Sequence, residues 1–107
     1  MRRLPLLAAA LLLAACGSPV KIIGEAEAVG AKVFVDGREA GVMEKRVYGG
    51  GDAGPAGQVY AAARLRVPAG TRRIKVVSSD GRALEASVDA RGEAYLTADF
   101  AKGELRR

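Results

Sequence analysis

Residues 59–100 read VYAAARLRVPAGTRRIKVVSSDGRALEASVDARGEAYLTADF, and their patterning decides the fold class. Leu65 and Val67 alternate with Arg64 and Arg66; beyond Pro68-Ala69-Gly70, Ile74 and Val76 alternate with Arg73 and Lys75. Leu84, Ala86 and Val88 then alternate with Glu85, Ser87 and Asp89, and Ala94, Leu96, Ala98 and Phe100 with Tyr95, Thr97 and Asp99. Successive side chains of an extended chain point to opposite faces, so a period of two marks strands with one buried face. Pro68-Ala69-Gly70, Asp80-Gly81 and Arg91-Gly92 supply turn residues between the runs. The expected architecture is all-β, a small antiparallel β-sandwich or an open barrel.

Working outward, residues 31–42 read AKVFVDGREAGV. Val33 and Val35 share a face, and Asp36-Gly37 suits a type I′ hairpin turn in which both residues take positive φ. A return strand through Ala40 and Val42 follows. Residues 49–57, GGGDAGPAG, hold five glycines and one proline; such a segment gains too little to offset the entropy of ordering and is expected to be a mobile loop. A phosphate cradle would need a following Lys-Ser/Thr and a helix, and neither is present. Residues 20–29 read as a tether followed by a first edge strand, and residues 101–107 as a basic tail. Eleven valines in a chain without tryptophan match strand composition.

The N-terminus has a different character. Arg2 and Arg3 precede an uncharged run from Leu4 to Ala15, and six of the ten leucines lie within the first thirteen residues. A bilayer-spanning helix needs roughly 20 apolar residues. A positive start, a short apolar middle and small residues at the end instead make a secretory signal peptide, residues 1–15, removed on export. The only cysteine, Cys16, stands directly after it. A buried structural thiol or an intermolecular disulfide would not require that position.

Leu13-Ala14-Ala15-Cys16 resembles the lipobox of bacterial lipoproteins. The resemblance implies diacylglycerol transfer to the Cys16 thiol, cleavage before it and acylation of the new amine. One acyl chain alone is marginal and two or more give stable anchoring. Gly17-Ser18 lacks the aspartate that this family associates with inner-membrane retention, which implies the outer membrane. The mature chain is then a lipidated N-terminus and tether over residues 16–30, one small domain over 31–100, and the tail.

Residues 32–41 and 65–100 also resemble a PEGA domain, a small β-sandwich of bacterial envelope proteins, the resemblance covering roughly residues 31–100. Val33 to Gly37 matches its first hairpin, Gly41 the following glycine, and Pro68-Ala69-Gly70-Thr71 its Pro-Glu-Gly-Ala turn, with Ala69 in place of the glutamate. The family offers no catalytic residues, and the resemblance implies a binding or structural module.

The residues point away from an enzyme. There is no histidine, so the usual general base and commonest metal ligand are missing. A Ser–Lys dyad would need Ser18, Ser78, Ser79 or Ser87 beside an activated lysine, and no spacing singles one out. Asp36, Asp52, Asp80 and Asp89 do not form a calcium loop. No catalytic residue, metal site or cofactor is expected, and a small envelope hydrolase is the least favoured reading. The chain carries 17 basic and 12 acidic residues, and Arg2 and Arg3 leave with the signal. So mild and scattered a balance does not indicate a nucleic-acid partner. If the strands flanking Pro68-Ala69-Gly70 pair as a hairpin, Arg64, Arg66, Arg73 and Lys75 share one face. That face would suit lipopolysaccharide phosphate, peptidoglycan carboxylates or an acidic protein, or be a solvated face neutralised by Glu85 and Glu93. The expected function is a lipid-anchored, non-catalytic binding or scaffolding module; the alternative is an accessory subunit of an envelope assembly, joined through an exposed strand edge.

Overall fold

The computed structural model describes residues 17–50 and 55–107, and among these the alternating runs become strands. Nine strands form: β1 Ser18–Glu25, β2 Lys32–Val35, β3 Arg38–Val42, β4 Glu44–Val47, β5 Val59–Val67, β6 Gly70–Val77, β7 Ala83–Ala90, β8 Ala94–Asp99 and β9 Glu104–Arg106. They make a β-sandwich of a five-stranded sheet, ordered β4-β5-β1-β8-β9, and a four-stranded sheet, ordered β3-β2-β6-β7. The expected all-β sandwich is what the chain adopts. All pairings are antiparallel except β1 with β8.

Connectivity follows a simple rule. The hairpins β2–β3, β4–β5, β6–β7 and β8–β9 belong alternately to the four-stranded and the five-stranded sheet, and the links between hairpins cross the sandwich. Asp36-Gly37 makes the first hairpin turn as the type I′ reading requires, with φ of 50° and 85°. Met43 marks the first crossing. It is fully buried, its N–H donates to the Ala31 carbonyl at 2.8 Å, and its carbonyl accepts the Gly30 N–H at 2.8 Å. The return segment 38–47 is thus split, β3 lying in one sheet and β4 in the other.

The core lies between the sheets. Val20, Ile22, Leu65, Val67 and Leu96 from the five-stranded sheet face Val33, Ile74, Val76, Leu84 and Val88 from the four-stranded one. Burying side chains of this size contributes about 1.5–3 kcal/mol each.

Two expected boundaries are corrected. Residues 18–25 are neither tether nor edge: β1 is the middle strand of its sheet, with β5 on one side and β8 on the other. Residues 101–107 are not a free tail, because β9 pairs with β8 and buries Leu105. The sandwich therefore extends well beyond residues 31–100. Both corrections have one cause: Val20 and Ile22 on β1 and Leu105 on β9 are buried and complete the five-stranded sheet. Of the loop at 49–57, residues 51–54 lie outside the described residues, as do residues 1–15, expected to be a signal peptide, and Cys16. The base of that loop is closed by the Tyr48 N–H donating to Gln58 and the Gly57 N–H donating to Tyr48, each at 2.9 Å.

Candidate functional site

The expected basic face does not form. Arg64 and Arg66 lie on β5 and Arg73 and Lys75 on β6, and these strands belong to different sheets. Pro68-Ala69 is a crossing, not a hairpin turn, so the two basic pairs occupy opposite outer surfaces of the sandwich. The alternation of β5 and β6 reads the same in either arrangement, which is why it could not separate them.

On the four-stranded sheet the expected cations, Arg73 and Lys75, have acid neighbours. Arg73 lies 3.6 Å from Glu85, Lys32 lies 3.7 Å from Glu39, and Lys75 is the register partner of Glu85. The Arg73 backbone N–H also donates to the Asp36 carboxylate at 3.0 Å. This half of the proposed face is an ordinary balanced surface.

The five-stranded sheet differs. Lys21 on β1 stands opposite Arg64 on β5 in antiparallel register and beside Tyr95 on β8. Among the described residues neither Lys21 nor Arg64 has a carboxylate within ion-pair distance. Arg66 is committed elsewhere, its Nη1 donating to the Gly17 carbonyl at 3.0 Å. Glu93, a candidate neutraliser of the basic face, borders the same shallow depression as Lys21, Arg64 and Tyr95 without closing an ion pair, and accepts the Tyr95 hydroxyl at 2.6 Å, which raises the pKa of that phenol. Apolar surface adjoins the cations: Ile23 is 40% exposed and Tyr95 57%. Farther along this sheet a groove of about 550 Å³ is lined by Ile23, Glu25, Tyr48, Tyr60, Asp99 and Arg106. The Tyr48 and Tyr60 rings stack at 4.4 Å and line one wall of it. Two adjacent cations beside exposed aromatic surface can hold one anionic group through charge-assisted hydrogen bonds. Local sequence does not single out Lys21, because residues 16–30 read as a lipidated N-terminus and tether. The alternation of Pro19, Lys21 and Ile23 against Val20 and Ile22 is the signal that would have found it.

Ser18, Ser78, Asp36, Asp80 and Asp89, considered above for chemistry, are occupied in and around turns. The Ser18 hydroxyl donates to the Ala90 carbonyl at 3.1 Å and accepts the Gly92 N–H at 3.2 Å. The Ser78 hydroxyl donates to Asp80 and accepts the Arg82 N–H. The Ser78 hydroxyl and the Arg82 guanidinium together hold the Asp80 carboxyl down to about 2. Asp36 is lowered by the Arg73 N–H and by Arg72, and Asp89 pairs with Arg91 at 3.1 Å. Ser79 and Ser87 are exposed, and Asp52 lies outside the described residues.

Comparison with protein-family models, with curated proteins and with solved structures found no match to this chain.

Proposed function

We propose that this is a lipid-anchored, non-catalytic binding module of the bacterial cell envelope, anchored through Cys16 and carrying its binding surface on the outer face of the five-stranded sheet. The observation that carries the binding role is the Lys21–Arg64 pair, two register partners of like charge beside exposed Tyr95. Like charges directly opposite on a sheet are destabilising, and an anionic ligand relieves that cost. An anionic cell-wall polymer supplies phosphate or carboxylate for the cations and sugar faces for the tyrosines.

The anchoring role rests on Leu13-Ala14-Ala15-Cys16 and on the core, which among the described residues is built from Val20 to Leu105. Metabolic palmitate labelling tests it: label is expected on the wild type and absent from Cys16→Ser, and label persisting in the variant refutes the assignment. For the binding role, co-sedimentation with cell-wall sacculi and with lipopolysaccharide is compared between wild type and Lys21→Glu/Arg64→Glu. Retention is expected to fall about a hundredfold or more, the loss of two charged hydrogen bonds of about 1.5–3 kcal/mol each. Undiminished retention rejects the face.

One observation favours a second reading, an accessory subunit of an envelope assembly. β7 is an eight-residue strand at the edge of its sheet, long enough to accept an added strand from a partner. A stoichiometric protein recovered after crosslinking, without saccharide retention, would select it.

A further inference from the structure

We propose that the anchored protein has no tether, so that one end of the sandwich rests directly on anionic lipid headgroups while β1 runs away from the bilayer. This end consists of Gly17, the Pro68-Ala69-Gly70 crossing and the Arg91-Gly92 turn. The inference rests on the reading of Cys16 as the acylated residue.

Cys16 is joined to Gly17 by a single peptide bond, which places their Cα atoms about 3.8 Å apart. Gly17 is not free to move: it is buried, and its carbonyl accepts the Arg66 guanidinium at 3.0 Å. A Cβ at Gly17 would collide with the Val67 carbonyl oxygen, so only glycine lets the chain lie so close to β5. The next residue is fixed too, by the Ser18 hydroxyl on Ala90 and Gly92. Acyl chains on Cys16 must enter the hydrocarbon, and there is no slack between that residue and a clamped one. The end of the sandwich is therefore held at the headgroup layer.

The chemistry of that end fits the layer. Arg72 donates through Nε to Pro68 at 3.0 Å and through Nη2 to Ala69 at 2.7 Å, and also pairs with Asp36. Arg91 has a side chain 80% exposed. Arg38, beside the Asp36-Gly37 turn, is exposed as well. Arg38, Arg66, Arg72 and Arg91 stand against Asp36, Asp89 and Glu93, a surplus of one positive charge for lipid phosphates, which guanidinium groups recognise well. An eight-residue strand spans about 26 Å. The Ser79-Asp80 turn and Lys102-Gly103 thus stand roughly that far from the bilayer, and the Lys21–Arg64 face is presented sideways, clear of the membrane.

With Cys16 acylated the chain has no other thiol, so single cysteines can be labelled cleanly. Ala69→Cys and Arg91→Cys report the near end, and Ser79→Cys and Lys102→Cys the far end; all four are exposed positions. Each full-length lipidated protein, carrying a bimane label, is reconstituted into phosphatidylethanolamine–phosphatidylglycerol vesicles containing headgroup-nitroxide lipid. Quenching is expected to be several-fold stronger at 69 and 91 than at 79 and 102, and a Gly-Ser linker inserted between Cys16 and Gly17 is expected to erase the contrast. Equal quenching at all four positions of a palmitate-labelled protein overturns the orientation and leaves the anchor standing. A contrast unchanged by the linker overturns the short connection as its cause. Wild-type protein without palmitate overturns both the anchor and the orientation.

Discussion

On the four-stranded sheet Arg73 sits 3.6 Å from Glu85 and Lys32 3.7 Å from Glu39, whereas on the five-stranded sheet Lys21 and Arg64 face each other with no such partner among the described residues. Both surfaces are built of the same residue types on strands of similar length. What separates them is where the neighbouring strand comes from. β6 and β7 form a local hairpin, and the cations of one strand meet the acids of the other. β1 and β5 are separated by the whole of β2 to β4, and their pairing brings two cations together. A local hairpin balances its own charge, while a long-range pair exposes a charge surplus that a ligand can use.

The most severe way to break this comparison is to remove the long-range partner. A soluble chain beginning at residue 17 is expected to unfold cooperatively in urea, and one beginning at residue 26 to show no cooperative transition, because β5 and β8 would lose the strand between them. A cooperative transition in the shorter chain would restore the reading of 18–25 as a tether.

Next come the core residues beneath the two surfaces. Ile22 and Ile74 are both fully buried, one in each sheet. Ile22→Ala and Ile74→Ala are each expected to lower stability by about 2–5 kcal/mol in equilibrium unfolding. A loss confined to Ile74→Ala would mean that the five-stranded sheet does not share the core.

Charge reversals have smaller effects and sharpen the contrast by their sign. Lys21→Glu replaces a like-charge pair with an opposite one and is expected to stabilise by about 0.2–1 kcal/mol. Arg73→Glu sets two acids against each other and is expected to destabilise by a similar amount, about 0.2–1 kcal/mol. The same sign for both, measured by thermal unfolding at low salt, would erase the distinction between the faces.

The smallest expected effect is confined to acid. The Asp80 carboxyl is held down from 3.8 to about 2 by Ser78 and Arg82. A carboxyl with a depressed folded-state value gives stability that is full above its unfolded value and is lost as the pH falls through the folded one. The contribution of Asp80 is thus present above about pH 4 and disappears toward pH 2. Asp80→Asn should lower the melting temperature at pH 6 and leave it nearly unchanged at pH 2. An equal drop at both values would assign the effect to the turn geometry instead of the charge.

Legibility varied along the chain for physical reasons. Alternation exposed β5 to β8 and their inward residues, because burial of one face imposes a period of two on any half-buried strand. Asp36-Gly37 was readable because a type I′ turn demands positive φ at both positions. The sheet to which each strand belongs was not readable. Leu65 and Ile74 point into the core whether β5 and β6 are paired neighbours or face each other across it, so the outward Arg64 and Arg73 gave no warning that they are on opposite surfaces.

Local order in the chain carries the all-β class, the inward-facing residues and the place of the one cysteine directly after an apolar run. Only the tertiary structure decided that β1 lies between β5 and β8, that Lys21 meets Arg64, and that Gly17 is clamped one residue beyond Cys16. Those outcomes depend on hydrogen bonds between strands tens of residues apart, and a pattern of side chains along one strand carries no record of which backbone lies beside it.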